Sequence, residues 1–357
     1  MIDNIRKKLN AGKRLSPKEG LYLLVEAPLD DLSEMAFLDK KRRSGNHVTF
    51  VLDTNPNYTN LCDCHCSFCF FYRKHGDEDA FILTKEQVVE RVGKAVNAGA
   101  TTVLMQGGCH PGLPVEYYFD MVTELRQAFP EVHLHLFSPP EIISIAKSGK
   151  LTVRAVLQKL QALGLKSLPG GGAEILVEKV RQAVSPGKCS AADWLNVMKE
   201  AHLLGLKTTA TMVYGLGETD QDEITHLATI RDLQDETGGF TAFVPWSFKP
   251  GKNSVTSTNT VIPGVKYLRI LATARLFLDN FPHIQASWFS EGKRTGQLGL
   301  LFGADDFGGT LFEEHVLKTA GHDVRSGVEE VKALIRGAGM IPVRRNTLYQ
   351  ELEVCTV

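Results

Sequence analysis

Four of the seven cysteines fall within eight consecutive residues, in a segment 60–72 that reads NLCDCHCSFCFFY. Cys62, Cys66 and Cys69 are spaced C-x3-C-x2-C. Three thiolates on one short loop can ligate three irons of a four-iron, four-sulfur cubane and leave the fourth iron open. An open iron can chelate the amino and carboxylate groups of a methionine derivative. The aromatic Phe68, just before the last cysteine, strengthens this reading. Three others share the same residues. A structural zinc site could draw on Cys64 as well, but zinc sites pair C-x2-C with a second pair further along, and none follows. A ferredoxin-type carrier needs four cysteines at a different spacing. A thioredoxin-like pair of Cys66 and Cys69 leaves Cys62 idle. In the three-thiolate register Cys64 is a bystander.

Glycine-rich turns supply the next candidates. Gln106-Gly107-Gly108-Cys109-His110-Pro111 lets bare backbone approach a ligand closely. Tyr214-Gly215-Leu216-Gly217-Glu218 lets main chain lie against a flat ring, with Glu218 free to accept from a sugar hydroxyl or to cap the next helix. Pro169-Gly170-Gly171-Gly172-Ala173-Glu174 leads into a segment carrying Arg181. A spacing of seven puts Glu174 and Arg181 on one helix face, where the arginine can pair with a carboxylate or form a surface salt bridge. His133 and His135 share one face of a strand, a spacing that could bind metal, and read first as satisfied polar residues of the lumen. Trp246 and Trp288 can stack on an aromatic ligand or pack in the core.

These residues need elements to hold them. Residues 1–46 read as short helices, with Ser16-Pro17-Lys18-Glu19 as one helix start. Strands are expected near 48–52, 101–105, 132–137, 165–168, 207–213, 240–246, 284–288 and 298–302, with helical patterns between most of them. Thr84 with Gln87 makes a capping box ahead of Val88, Val89, Val92 and Val96. Another helix starts at Ser190 and carries Trp194, Val197, Met198 and Ala201 on one side. Eight strands in βα alternation predict an α/β fold, a (β/α)8 TIM-type barrel over 47–345 between a helical extension (1–46) and a tail (346–357). A doubly wound open sheet is the alternative. In a barrel, function gathers at the C-terminal ends of the strands, and the glycines, polar groups and aromatics gather there. The segment 249–261 is the loosest in composition.

The bulk composition narrows the class. Hydrophobic residues make up 43% and charged residues 23% of 357, enough apolar mass for a sizeable core. A net charge of −1 argues against nucleic acid or an anionic membrane as partner, and the run Lys40–Arg43 has no aromatic residues among it. There is no signal-peptide pattern and no apolar stretch long enough to span a bilayer, so the chain is expected in the cytoplasm. An odd number of crowded cysteines makes a poor disulfide framework and agrees.

The stretches around the cysteines, QGGCHPGLP, HLHLFSPPEI, SLPGGGAEIL, TTATMVYGLGET, LQDETGGFTAFVPW, QASWFSEGK and FGADDFGG, resemble the dehypoxanthine futalosine cyclase family of the radical SAM superfamily. The likeness runs from about Asn57 onward. The cysteine motif marks the superfamily. HLHLFSPPEI and LQDETGGFTAFVPW favour this family over aminofutalosine synthases and deazaflavin synthase components. The chain departs from the family pattern at Cys64, at Asp305 and at His315.

The resemblance implies a [4Fe-4S] cluster on Cys62, Cys66 and Cys69, and S-adenosylmethionine (SAM) as co-substrate. Phe68, Gly107, Gly108, Glu174, Arg181, Gly215 and Glu218 are then the SAM-side candidates. It implies ring closure of dehypoxanthine futalosine for menaquinone: a 5′-deoxyadenosyl radical removes a ribose hydrogen, and the sugar radical adds to the benzoate ring. Asp305 and Asp306 are candidates for substrate hydroxyls or for the base that takes the ring proton. A reductant such as flavodoxin or ferredoxin is the implied protein partner.

Overall fold

The computed structural model describes residues 1–250, 262–310, 319 and 326–355. Most of the loose segment 249–261, and His315, lie outside them. Eleven strands are described: β1 His47–Val51, β2 Asp53–Thr54, β3 Thr102–Met105, β4 His133–Leu136, β5 Ser167–Leu168, β6 Lys207–Tyr214, β7 Phe240–Ser247, β8 His283–Ile284, β9 Asp306–Gly309, β10 Ile341–Arg345 and β11 Glu351–Val354.

Strands β2 to β8 form one parallel sheet in strict sequence order. Parallel neighbours need a crossover, and helices fill every connection from β2 to β8. A doubly wound sheet reverses its strand order at a switch point. This one never does, so it curls instead. The second sheet, ordered β11-β10-β1-β9, closes the wall. β1 runs through Leu52 into β2, and a bridge from Gln285 to Asp306 ties the end of β8 to β9.

Strand alternation separates lumen from core. In β4, Leu134 and Leu136 are fully buried under the helices, leaving His133 and His135 on the other face. In β6, Ala210, Met212 and Tyr214 enter the core while Thr209 and Thr211 face the lumen.

The helix starts follow the sequence. Ser16, Thr84 and Ser190 each accept a bond from the backbone N–H three residues on, and each donates its own N–H to that residue's side chain. The N-terminal helices α1 Ile2–Asn10, α2 Pro17–Val25 and α3 Leu29–Ser44 share the barrel core: Gly20 of α2 lies so close to Phe277 that an added Cβ would come within 2.8 Å of its ring.

Two expectations are corrected. Residues 298–302 are helical, not a strand: a helix Lys293–Gly299 continues into a 3-10 turn Leu300–Phe302. A short apolar run does not distinguish strand from buried helix, and here Gly299 lets the helix press on Leu271. The strand beyond it is β9, whose Asp-Phe-Gly-Gly sequence has no apolar alternation and is placed by pairing with β1. Within 346–355 the chain carries structure: β11 pairs antiparallel with β10, and Tyr349 stacks on His283 at 4.0 Å between ring centres.

A cysteine cleft that opens into the barrel lumen

Two cavities meet at the C-terminal ends of the strands. One, of about 270 Å³, is a cleft lined by Cys62, Cys66 and Cys69 together with Phe68, Glu174 and Lys188. The other, of about 240 Å³, is the lumen. Gln106, Gly171 and Trp246 line both and form the joint. Trp246 is thus placed to touch a ligand, whereas Trp288 is fully buried and stacks on Phe307.

The cysteine loop is held from three sides. Ser67 bonds Val184 O through both N–H (2.8 Å) and hydroxyl (3.1 Å). Arg73 closes its end, donating to Phe70 O (2.8 Å) and Tyr72 O (2.9 Å) and pairing with Asp79. The glycine loop presses on its start: a Cβ on Gly108 would lie 2.1 Å from Leu61 O and 2.9 Å from Cys62 Cβ. Next to it, Gly107 N–H donates to Glu141 Oε1 at 2.9 Å, and Tyr58 OH donates to the same oxygen at 2.8 Å. Burial pushes the Glu141 carboxyl up to about 7 against these donors. Glu141 and Tyr58 escaped the sequence reading because neither stands in a glycine or cysteine motif.

The thiols fit a ligand set. Cys62, Cys66 and Cys69 line one cleft, as the spacing requires. A second grouping also exists: the sulfurs of Cys62, Cys64 and Cys109 lie within 4.8 Å of one another, and Cys109 N–H donates to Cys62 Sγ at 3.3 Å. Cys109 arrives there because Gly108 draws the two loops together, which spacing alone does not reveal. Burial pushes the Cys66 thiol up to about 12, so binding metal there releases a proton.

Glu174 lines the cleft, but from a loop with φ +42°, four residues before the helix Glu178–Val184. The shared helix face expected for Glu174 and Arg181 therefore does not exist. Lys188 pairs with Glu174 Oε1 and sits 5.4 Å from the Phe68 ring centre. Burial works against the Lys188 charge, and Glu174 with the nearby thiols holds its pKa well above the ordinary value. Glu174 Oε2 is buried without a partner among the described residues, which leaves one acceptor for a ligand's ammonium group.

Other candidates sit elsewhere. The Arg181 guanidinium is buried and spent on carbonyls, those of Ala173 (2.6 Å), Gly172 (3.1 Å) and Cys189 (2.5 Å). It braces the triple-glycine loop from behind. Glu218 folds back to accept from the N–H groups of Gly215 (2.5 Å) and Leu216 (2.8 Å), while Thr219 caps the next helix.

A strand over 298–302 would put Asp305 and Asp306 at its C-terminal end, beside the other candidates. They stand instead at the start of β9, at the opposite end of the barrel from the cysteines. Asp305 pairs with Arg275 and with His283 Nδ1 at 2.9 Å. Burial opposes its ionisation, but Arg275 overrides it and holds the carboxyl down to about 2. That is the reverse of the raised pKa a general base needs. Asp306 is bound by Arg345 and Thr49.

Gly108→Ala tests the loop contact. The added methyl cannot fit unless the Cys62 loop moves, an overpacking cost of roughly 1–3 kcal/mol. Iron and sulfide counts after anaerobic reconstitution should fall several-fold while far-UV circular dichroism is kept. Full cluster content would show that the loops do not depend on this contact.

Among known proteins, residues 56–230 match the radical SAM superfamily and residues 237–356 the CofH/MqnC C-terminal region. The chain is 39% identical to cyclic dehypoxanthine futalosine synthase from Halalkalibacterium halodurans, covering 98% of this chain and 94% of that protein. The same enzyme from Streptomyces coelicolor is 40% identical, covering 99% and 89%. Aminodeoxyfutalosine synthase from Thermus thermophilus is 39% identical, covering 98% and 95%. Among solved structures, HydG from Carboxydothermus hydrogenoformans superposes with a TM-score of 0.75 at 18% identity, covering 98% of this chain and 80% of that one, a likeness of fold. With full-length relatives at this identity and the cysteine cleft in place, the chain belongs to the radical SAM family that includes the cyclic dehypoxanthine futalosine synthases.

Proposed function

We propose that the chain closes the ring of dehypoxanthine futalosine in menaquinone biosynthesis, the reaction for which its Halalkalibacterium and Streptomyces relatives are named. Cys62, Cys66 and Cys69 would hold a [4Fe-4S] cluster, and the cleft beside them would hold SAM. When bound, these groups supply a 5′-deoxyadenosyl radical; the protein supplies position and dryness. The free oxygen of Glu174 offers an acceptor for the SAM amino group, and Lys188 holds that carboxylate in place. Gly107 and Gly108 line the cleft and let its wall pack against Tyr58 and the start of the Cys62 loop. The substrate would lie in the lumen, its ribose toward Gln106 and Trp246 and its benzoate deeper.

The observation that carries this reading is the joint itself: cleft and lumen share Gln106, Gly171 and Trp246, so a radical made in one would lie beside a substrate held in the other. No described helix is long and apolar enough to cross a membrane. A cytoplasmic flavodoxin or ferredoxin is the proposed electron donor, with neither nucleic acid nor membrane as partner.

Anaerobic reconstitution with SAM, reductant and dehypoxanthine futalosine tests it. Mass spectrometry should show 5′-deoxyadenosine together with a product two hydrogens lighter than the substrate. A parallel reaction with 5-amino-6-(D-ribitylamino)uracil and L-tyrosine, the pair named for another relative 38% identical to this chain, should give no coupled product. Product from that pair alone would overturn the assignment.

A further inference from the structure

The two histidines of β4 have no part in the function derived so far. His135 lines the lumen, and its Nδ1 lies 2.7 Å from Ser167 Oγ on the neighbouring strand. His133 Nε2 lies 2.7 Å from the same oxygen. Pairing of His135 with Ser167 in the β4–β5 register sets the alignment. Ser167 is buried, and its hydroxyl has one proton to give. One imidazole must therefore donate to it while the other accepts from it. With the donor at His135 Nδ1, the lone pair of this neutral ring sits on Nε2. No hydrogen bond among the described residues engages that nitrogen, and its ring borders the cavity. His133, the first residue of β4, is partly exposed at the barrel end opposite the cysteines.

We propose that His135, Ser167 and His133 form a proton relay that carries the benzoate ring proton out of the lumen after ring closure. The inference rests on the ring-closure reading above. Addition of the sugar radical forms one carbon–carbon bond and leaves a ring carbon that still bears its hydrogen, with one unpaired electron on the ring. Restoring aromaticity breaks that C–H bond. The electron leaves to a one-electron acceptor of the iron–sulfur class, and the proton goes to His135 Nε2. The Nδ1 proton of His135 passes to Ser167 Oγ, and the Ser167 hydroxyl proton passes to His133 Nε2. His133 then releases a proton to solvent.

The surroundings favour neutral rings that carry a proton only in passing. Burial lowers His135 well below the ordinary histidine value, with His133 and Arg345 adding to it, and lowers His133 to about 4 with Lys166 and Arg126 beside it. Asp53, which also lines the lumen, is the carboxylate that a rival base would use.

The test combines turnover with a measurement on cluster-free protein. His135→Phe should cut cyclised product by about 10²–10⁴-fold while 5′-deoxyadenosine still forms. Ser167→Ala should lower product less and should show a primary isotope effect when the benzoate ring is deuterated, an effect absent from the parent enzyme. In ¹⁵N-histidine NMR of the cluster-free chain at pH 7, both rings should be neutral, and Ser167→Ala should shift the nitrogens of both together. An unchanged ratio of cyclised product to 5′-deoxyadenosine in His135→Phe would overturn the relay. So would product loss in Asp53→Asn with His135→Phe still active, or ring nitrogens that respond independently to Ser167→Ala. Failure of the parent enzyme to make cyclised product would instead reject the ring-closure reading, so the two failures are distinct.

Discussion

Alanine at Cys62, Cys66 or Cys69 should remove the iron–sulfur cluster, and alanine at Cys64 or Cys109 should leave it. The spacing C-x3-C-x2-C matches three corners of a cubane, and all three residues line the cleft that faces the lumen. The rival set, Cys62 with Cys64 and Cys109, has its sulfurs within 4.8 Å of one another. Proximity in the metal-free chain is weak guidance here. Buried thiols gather by weak hydrogen bonds and apolar packing, whereas a cluster draws thiolates to its corners and releases their protons. Cys64 and Cys109 also line the cleft, so the two registers differ in a measurable way rather than in location. Iron, sulfide and electron paramagnetic resonance on the five anaerobic variants would decide. The three ligand variants should lose essentially all cluster signal and all SAM cleavage. Retention of the cluster in Cys66→Ala and Cys69→Ala, with its loss in Cys64→Ala and Cys109→Ala, would transfer the site to the rival set.

Asp306→Ala should destabilise the fold by roughly 3–5 kcal/mol, the usual cost of removing one partner from a buried ion pair. The Asp306 carboxylate is fully buried and satisfied on every side. Arg345 donates through Nε at 2.5 Å and Nη2 at 2.9 Å, Thr49 Oγ1 at 2.6 Å and Gly308 N–H at 2.9 Å. The pair joins β9, β1 and β10, so its loss opens the wall where the second sheet completes the barrel. A domain's net stability is only about 5–15 kcal/mol, so the variant should unfold at markedly lower urea and several degrees lower in temperature. Asp306→Leu combined with Arg345→Met should recover much of the loss, because the buried charge goes with its partner. Asp306→Asn of parental stability that binds SAM yet forms no cyclised product would instead return this residue to substrate chemistry.

Much of this protein was legible in one dimension. Spacing within one loop is local, so Cys62, Cys66 and Cys69 could be singled out directly as candidate ligands, and the structure brings them to one cleft. Capping boxes at Thr84 and Ser190 are equally local, since donor and acceptor lie three residues apart. The order of strands and helices implied a curled parallel sheet because parallel neighbours require crossovers. Roles that depend on long-range approach were decided only by tertiary structure. Arg181 bears the charge for a carboxylate ligand, yet its neighbours are the carbonyls of Gly172, Ala173 and Cys189, and those claim its donors. Lys188 gave no signal in sequence and lies in the cleft beside Glu174. Asp305 and Asp306 changed ends of the barrel once an apolar run proved helical and β9 took its place from pairing with β1. His133 and His135 were legible as one strand face, but Ser167 between them comes from the next strand across. Hydrogen bonds and ion pairs act over about 3 Å. Local spacing can supply that distance within a turn, and between distant segments only the packed fold can.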